Sequence, residues 1–302
     1  MSFTDKTLFV TEIERCAYHD GPGIRTVVFL QGCPLRCPWC CNPETQSPSP
    51  VLLHDAAKCV GCGACRAACP ASAVALSDGK AAFSRAACTL CRRCETVCPA
   101  DAIAYSSGEM SVSAVLALVL RDRDYYGEEG GLTLSGGEPF FSENAVELLR
   151  RARDAGLHTL AETTADLPWE TLSRAMRATD LFYIDYKHPD GDKLSQATGA
   201  SLPLIEGNIR RLVKAGAKIL LRTPVIPGFN DAEDILRACY GFAAGLGLRD
   251  YALLPYHGLG AGKYGRLGAA YPYRETKTLT GADLGTFAAL GESMGLSVRV
   301  EG

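Results

Sequence analysis

The sequence predicts an α/β protein: a run of β/α units on a parallel sheet, interrupted near its start by a small cysteine-rich insert. Three observations carry this reading. From Arg25 onward, short apolar strands alternate with amphipathic helices six times, the pattern of crossover connections in a parallel sheet. Thirteen of the fourteen cysteines lie before residue 100, so the front half differs in chemistry from the back. Between Lys58 and Ala104 those cysteines form an internal repeat. Six units suit a partial, open (β/α)6 barrel rather than a closed ring.

Length and composition set the outer bounds. A chain of 302 residues makes one large domain or a domain with an insert, and 47% hydrophobic content supports a packed core. Thirty-one basic against 34 acidic residues leave a net charge of −3, which argues against nucleic-acid binding through bulk electrostatics. No apolar run reaches the ~18 residues of a membrane span. Met1-Ser2-Phe3-Thr4-Asp5-Lys6 lacks the pattern of a secretory leader. A cytoplasmic monomer is expected, in a reducing compartment where cysteines serve as metal ligands rather than disulfides.

Residues 7–14 and 25–31 read as strands, rich in β-branched and aromatic side chains. Between them His19-Asp20-Gly21-Pro22-Gly23-Ile24-Arg25 is a turn by composition. The second strand runs into Gly32-Cys33-Pro34-Leu35-Arg36-Cys37-Pro38-Trp39-Cys40. Its C-x3-C-x2-C spacing supplies three thiolates, one too few for the four irons of a cubane. A structural zinc site wants four closed ligands. The loop therefore reads as the seat of a [4Fe–4S] cluster with one iron open to an outside ligand.

The insert follows. Cys59-x2-Cys62-x2-Cys65-x3-Cys69-Pro70 is repeated as Cys88-x2-Cys91-x2-Cys94-x3-Cys98-Pro99. Each copy matches the bacterial ferredoxin run, whose fourth cysteine ligates the other cluster. One cluster is assigned to Cys59, Cys62, Cys65 and Cys98, the other to Cys88, Cys91, Cys94 and Cys69. Residues 73–76 and 102–105 read as the short elements after each run. With little apolar core of its own, this ferredoxin-like domain would owe much of its stability to its clusters. The boundaries are 1–52 for the start of the barrel, 53–107 for the insert and 108–302 for the remainder.

Beyond the insert, Ser111 caps a helix carrying Val112, Val115, Leu116 and Val119 on one face. Strands are expected at 132–134, 158–162, 181–185, 218–222 and 251–254, with a possible terminal strand at 297–301. Helices are expected at 144–155 (Val146, Leu149 and Ala152 inward), 168–178, 204–215, 231–245 and 282–294. The polar and glycine-rich motifs fall just past the strands: the cysteine loop, Ser135-Gly136-Gly137-Glu138-Pro139, Glu162-Thr163-Thr164, Asp185-Tyr186-Lys187, Arg222 and Pro255-Tyr256-His257. In α/β barrels the carboxyl ends of the strands carry the active site. Alternation along a strand points Asp185 and Lys187 the same way.

These motifs together resemble the glycyl radical enzyme activating enzymes of the radical S-adenosylmethionine (SAM) superfamily, in the subgroup with a two-cluster insert. The resemblance rests on the cysteine loop, the D-G-P-G-I-R turn, G-G-E-P, D-Y-K, L-L-P-Y-H, and Arg222-Thr223-Pro224-Val225-Ile226-Pro227-Gly228, and it covers essentially the whole chain. It implies a radical SAM barrel holding three [4Fe–4S] clusters and SAM. It places Trp39, Cys41, Gly136, Gly137, Glu138, Glu162, Asp185, Tyr186, Lys187 and His257 at SAM. Asp20, Gly21, Arg25 and Arg222 would meet the incoming peptide. A monovalent cation would sit beside SAM between a carboxylate, a threonine and Asp185, although this sequence has Glu162 where the commoner pattern has aspartate. The implied partners are a glycyl radical enzyme and a flavodoxin or ferredoxin donor. The cluster loop alone also allows a radical SAM enzyme acting on a small molecule, and the insert alone an electron-transfer protein. Cys239 reads as a core residue, and Cys16 has no assigned role.

Overall fold

A computed structural model of the chain describes residues 5–301, so the first four letters of the leader reading lie outside it. The chain starts with β1 (Thr7–Ala17) and β2 (Arg25–Leu30), an antiparallel pair in which Cys16 sits at an irregularity between Glu14 and Ala17. The cysteine loop follows β2. The next segment holds β3 (Leu52–His54), α1 (Ala64–Ala68), β4 (Val74–Ser77), β5 (Lys80–Phe83), α2 (Arg93–Thr96) and β6 (Ile103–Tyr105). It forms two small sheets, β3 with β6 and β4 with β5. Its own small core gathers Leu52, Val74, Ala81, Ile103, Tyr105, Cys65 and Cys94.

The chain then returns through β7 (Gly108–Ser111) and alternates: α3 (Val112–Leu120), β8 (Gly131–Gly136), α4 (Asn144–Asp154), β9 (His158–Thr163), α5 (Trp169–Met176) and β10 (Leu181–Asp185). Next come α6 (Gly191–Thr198), α7 (Leu202–Lys214), β11 (Ile219–Val225), α8 (Glu233–Gly245), β12 (Asp250–Pro255), α9 (Ala261–Leu267), α10 (Gly285–Ser293) and β13 (Ser297–Val300). Ser111 caps α3 by accepting from the Ala114 amide, as its sequence position predicts.

The large sheet runs β13-β12-β11-β10-β9-β8-β2-β1-β7. From β2 to β13 neighbours are parallel, and β1 and β7 add antiparallel strands at one edge. The sheet is therefore mixed rather than purely parallel, and it stays open, with β13 and β7 at opposite edges. The strands β2, β8, β9, β10, β11 and β12 interleave with the helices to bury one continuous core. On α4 the inward residues are Ala145, Leu148, Leu149 and Ala152, with Val146 only partly buried, because the stripe is rotated by one position from the expected one. Among the described residues no helix is long and apolar enough to cross a membrane.

Arg25 corrects one expectation. It is wholly buried, and its guanidinium donates to Pro22 O (2.9 Å), Glu129 O (3.1 Å), Leu132 O (2.8 Å) and Thr133 Oγ1 (2.6 Å). It ties the glycine-proline turn to β8 and is not placed to meet a peptide. Gly21, at φ +131°, packs against the same arginine: a Cβ there would lie 2.8 Å from Arg25 Cδ. That glycine serves close approach rather than substrate contact.

Candidate active site

A cavity of about 390 Å³ opens where the parallel strands end. Its walls follow from the sheet: each strand contributes the residues just beyond its last hydrogen bonds, so motifs far apart in sequence meet on one rim. Cys33, Cys37 and Cys40 form one wall, and Gly136, Gly137, Glu162, Asp185, Lys187 and His257 line the rest. Asp20, Trp39, Cys41 and Arg222 line it too. The cavity falls within the volume range of small-molecule and cofactor sites.

The glycine pair is explained by approach. A Cβ on Gly136 would stand 2.3 Å from Leu30 N, and one on Gly137 would stand 2.3 Å from Gly32 O. The end of β8 can therefore lie flush against the start of the cysteine loop, held by Gly137 N to Leu30 O (2.9 Å) and Glu138 N to Gly32 O (2.8 Å). The Glu138 carboxylate does not reach the cavity. It is fully buried and accepts from Thr163 Oγ1 (2.9 Å), Thr164 N (2.8 Å) and Thr164 Oγ1 (2.8 Å). The expectation that it touches SAM is corrected: it is a strut joining β8 to β9, and burial raises its pKa.

At the end of β10 the alternation is as read. Lys187 Nζ donates to Asp185 Oδ2 at 2.8 Å, both on the cavity side. Tyr186 points the other way, stacked on Phe242 at 4.8 Å with its hydroxyl donating to Glu206 (2.7 Å). That corrects its assignment to SAM, and the strand period gives the reason.

Arg222 completes a buried lattice. It donates to Glu162 Oε1 at 2.5 Å and to Asp185 Oδ1 at 3.0 and 3.2 Å, while Ser135 Oγ donates to Glu162 Oε2 at 2.7 Å. Burial alone would raise the Asp185 carboxyl, but Lys187 and Arg222 hold it down at about 2. Asp20 has no such partner: burial, then the Glu162 charge, push it up to about 6.

Trp39 packs on Phe229 (4.5 Å) and edge-on to Tyr273 (6.1 Å), walling the cavity with apolar surface. Behind the loop stands α9, which the sequence did not announce. Tyr264 donates to Pro38 O (3.2 Å), Lys263 to Asn42 Oδ1 (2.6 Å), and Gly260 packs directly on the Cys41 backbone. Ala261-Gly262-Lys263-Tyr264-Gly265 carries no apolar period that would have disclosed it. Thr164, Asn42 and Glu301 also line the cavity; the terminal strand expected at 297–301 was the signal for Glu301.

The loop thiols fit a metal cluster. Burial pushes Cys33 up to about 12 and raises Cys37, while Lys187 opposes both shifts. Without metal they are protonated, so binding would release protons. In the insert one small cavity is lined by Cys59, Cys62, Cys65 and Cys98, and another by Cys69, Cys88, Cys91 and Cys94. Backbone N–H groups aim at the sulfurs: Ala81 at Cys59 (3.5 Å), Ala73 at Cys69 (3.3 Å), Leu90 at Cys88 (3.4 Å) and Ala102 at Cys98 (3.3 Å). Equivalent positions of the two runs share left-handed backbone: Gly61 (φ +69°) with Leu90 (+56°), Gly63 (+77°) with Arg92 (+61°), and Ser72 (+51°) with Asp101 (+47°). Leu90 and Arg92 take a conformation that ordinary residues avoid, so the cradle geometry overrides local preference. Among the described residues no three His, Cys, Asp or Glu side chains converge on a single metal ion.

A family model described as a 4Fe-4S single cluster domain matches residues 19–187. Over 280 residues the chain is 42% identical to the (2S)-3-sulfopropanediol sulfolyase activating enzyme of Bilophila wadsworthia, covering 90% of this chain and 92% of that one. It is 35% identical over 299 residues to the indoleacetate decarboxylase activating enzyme of Tractidigestivibacter scatoligenes, covering 95% of each. The structure of Streptococcus suis SuiB bound to its precursor peptide SuiA shares the fold. The TM-score is 0.52 at 13% identity, over 65% of this chain and 43% of that one.

Proposed function

The chain belongs to the glycyl radical enzyme activating enzymes, and from that premise we propose which of its residues carry the activity. The activity is reductive cleavage of SAM and removal of hydrogen from a backbone glycine of a partner glycyl radical enzyme. The observation that carries the assignment is the single cavity shared by the three loop cysteines, the glycine pair and the Asp185–Lys187 pair.

Cys33, Cys37 and Cys40 would hold a [4Fe–4S] cluster, which when bound would supply the electron for SAM cleavage. The protein's residues position and exclude. Gly136 and Gly137 leave room for the ligand's amino end. Lys187, fixed by Asp185, has donors left for its carboxylate. Arg222 joins Glu162 to Asp185, and its guanidinium provides the charge balance that a monovalent cation would provide beside SAM. Trp39, Cys41 and His257 border the ligand, with the Trp39–Phe229 wall keeping water out. Asp20, at the edge of the cavity, meets the incoming peptide. No side chain needs to act as a general base.

Residues 53–107 are a ferredoxin-like domain holding two further [4Fe–4S] clusters, inserted between barrel segments 1–52 and 108–302. The donor is a flavodoxin or ferredoxin, and the protein acts as a cytoplasmic monomer. What supports the insert reading is the pairing of its eight cysteines into two cradles, each completed by the fourth cysteine of the other run.

The test is Cys37→Ala. The variant is expected to form no 5′-deoxyadenosine from SAM while keeping the iron of the insert. Cleavage at the parent's rate would remove the loop from the reaction.

A further inference from the structure

Glu301 lines the cavity but has little to hold it there. Among the described residues its Oε2 is buried without a hydrogen-bond partner. Its Oε1 faces Arg299 Nε at 3.7 Å, beyond hydrogen-bond reach. The Arg299 side chain is 54% exposed, and that of Glu301 only 19%. Enclosing a carboxylate so far is costly unless something donates to it. Glu162 and Asp185, by contrast, have every oxygen engaged, by Ser135, Arg222 and Lys187.

Strand register sets the height of this group. Asp185 pairs with Arg222, Arg222 with Ala252 and Ala252 with Arg299, one row across β10, β11, β12 and β13. Two residues further along each strand direction stand Lys187, Pro224, Leu254 and Glu301, on the same face by the two-residue period. All four line the cavity. Glu301 N donates to Leu253 O at 3.0 Å, which keeps it in line with β12 just past the end of β13. Glu301 is therefore level with Lys187, three strand spacings or about 14 Å away at the backbone. The two side chains close part of that gap, and Pro224, Ile226 and Leu254 give the wall between them an apolar surface.

We propose that Glu301 binds SAM directly, its carboxylate accepting from the 2′ and 3′ hydroxyls of the ribose. The proposal rests on the reading of this cavity as the SAM site. A carboxylate accepts and cannot donate, so its partner is a donor. SAM has three kinds: the ammonium, the adenine amino group and the ribose hydroxyls. The ammonium and carboxylate end belongs with the glycine pair and Lys187, which leaves the adenosine for the β12–β13 side. The adenine amino group would engage one carboxylate oxygen. The vicinal diol offers a donor to each, and neither oxygen of Glu301 is hydrogen-bonded. Dinucleotide-binding folds use an acidic residue on a ribose hydroxyl in the same way. With the ribose held at Glu301 and the methionine carboxylate at Lys187, the bond to be broken lies between two anchors, a gain in orientation.

Equilibrium dialysis of the iron-loaded protein against SAM, and against its 2′,3′-dideoxy analogue, measures the contact without turnover. Glu301→Ala should weaken SAM about tenfold and leave the affinity for the analogue at the parent's value, because the two deletions remove the same bonds. Glu301→Gln, which keeps the shape and one acceptor, should fall between parent and Glu301→Ala, and it supplies the comparison if the alanine variant does not fold. An equal loss for both ligands, unchanged SAM affinity in the variants, or a parent that does not distinguish SAM from the analogue would overturn the assignment of Glu301. A parent that binds neither ligand would overturn the reading of the cavity itself.

Discussion

The Arg222 guanidinium sits between two carboxylates lining the cavity, a place where removing one partner costs more than the pair itself contributes. Arg222→Met leaves Glu162 and Asp185 buried with Lys187 as their remaining cation, and should destabilise the fold by about 3–5 kcal/mol. Arg222→Lys should cost less, since charge survives without the fork. Urea unfolding measures both, and equal stability of Arg222→Met and parent would contradict the lattice. Asp20 presents the opposite case. With its pKa raised to about 6 from 3.8, its contribution to stability is complete below the lower value and is lost as pH rises through the upper one. Asp20→Asn should match its parent near pH 4 and exceed it at neutral pH by about 1–2 kcal/mol after solvent screening. A gap that does not change with pH would contradict this. At this scale the sequence was legible wherever period or spacing constrained a side chain: Asp185 with Lys187, and the three loop cysteines. Glu138 and Arg25 were not legible, because a charged letter in a motif does not disclose that threonines and carbonyls elsewhere in the chain bury it.

The elements that shape the site are held by close backbone approach. Gly137→Ala would push a methyl to 2.3 Å from Gly32 O, against backbone rather than the end of a flexible side chain. The expected cost is about 2 kcal/mol or more, together with reduced iron in the cysteine loop and retained iron in the insert. Iron analysis beside denaturant unfolding reads both, and a fully stable, fully loaded variant would contradict the packing. Strands and most helices could be read because β-branched runs and 3.6-residue periods mark them. The antiparallel direction of β1 and β7 left no mark, since pairing direction depends on connections rather than composition. Helices α6 and α9 were missed for a related reason: both are short, and α9 draws its stability from contacts with the loop and the insert.

At the scale of the whole molecule, an open sheet with all its chemistry at the strand ends leaves the cavity reachable from the side. A peptide loop of a partner can enter there, and glycine suits the chemistry because it has no side chain to keep its α-carbon away. The mixed sheet does not alter this, because β1 and β7 lie at one edge, beyond β2. The cluster motifs and the six units were readable from spacing, whereas β3, only three residues long, and its pairing with β6 were not. The central claim is tested most directly by mixing the reduced protein, SAM and a candidate glycyl radical enzyme, without oxygen, and recording the electron paramagnetic resonance spectrum. The account predicts a doublet from a glycyl radical on the partner, growing in step with 5′-deoxyadenosine. SAM consumed in proportion to a small-molecule product, with no signal on the partner, would contradict it.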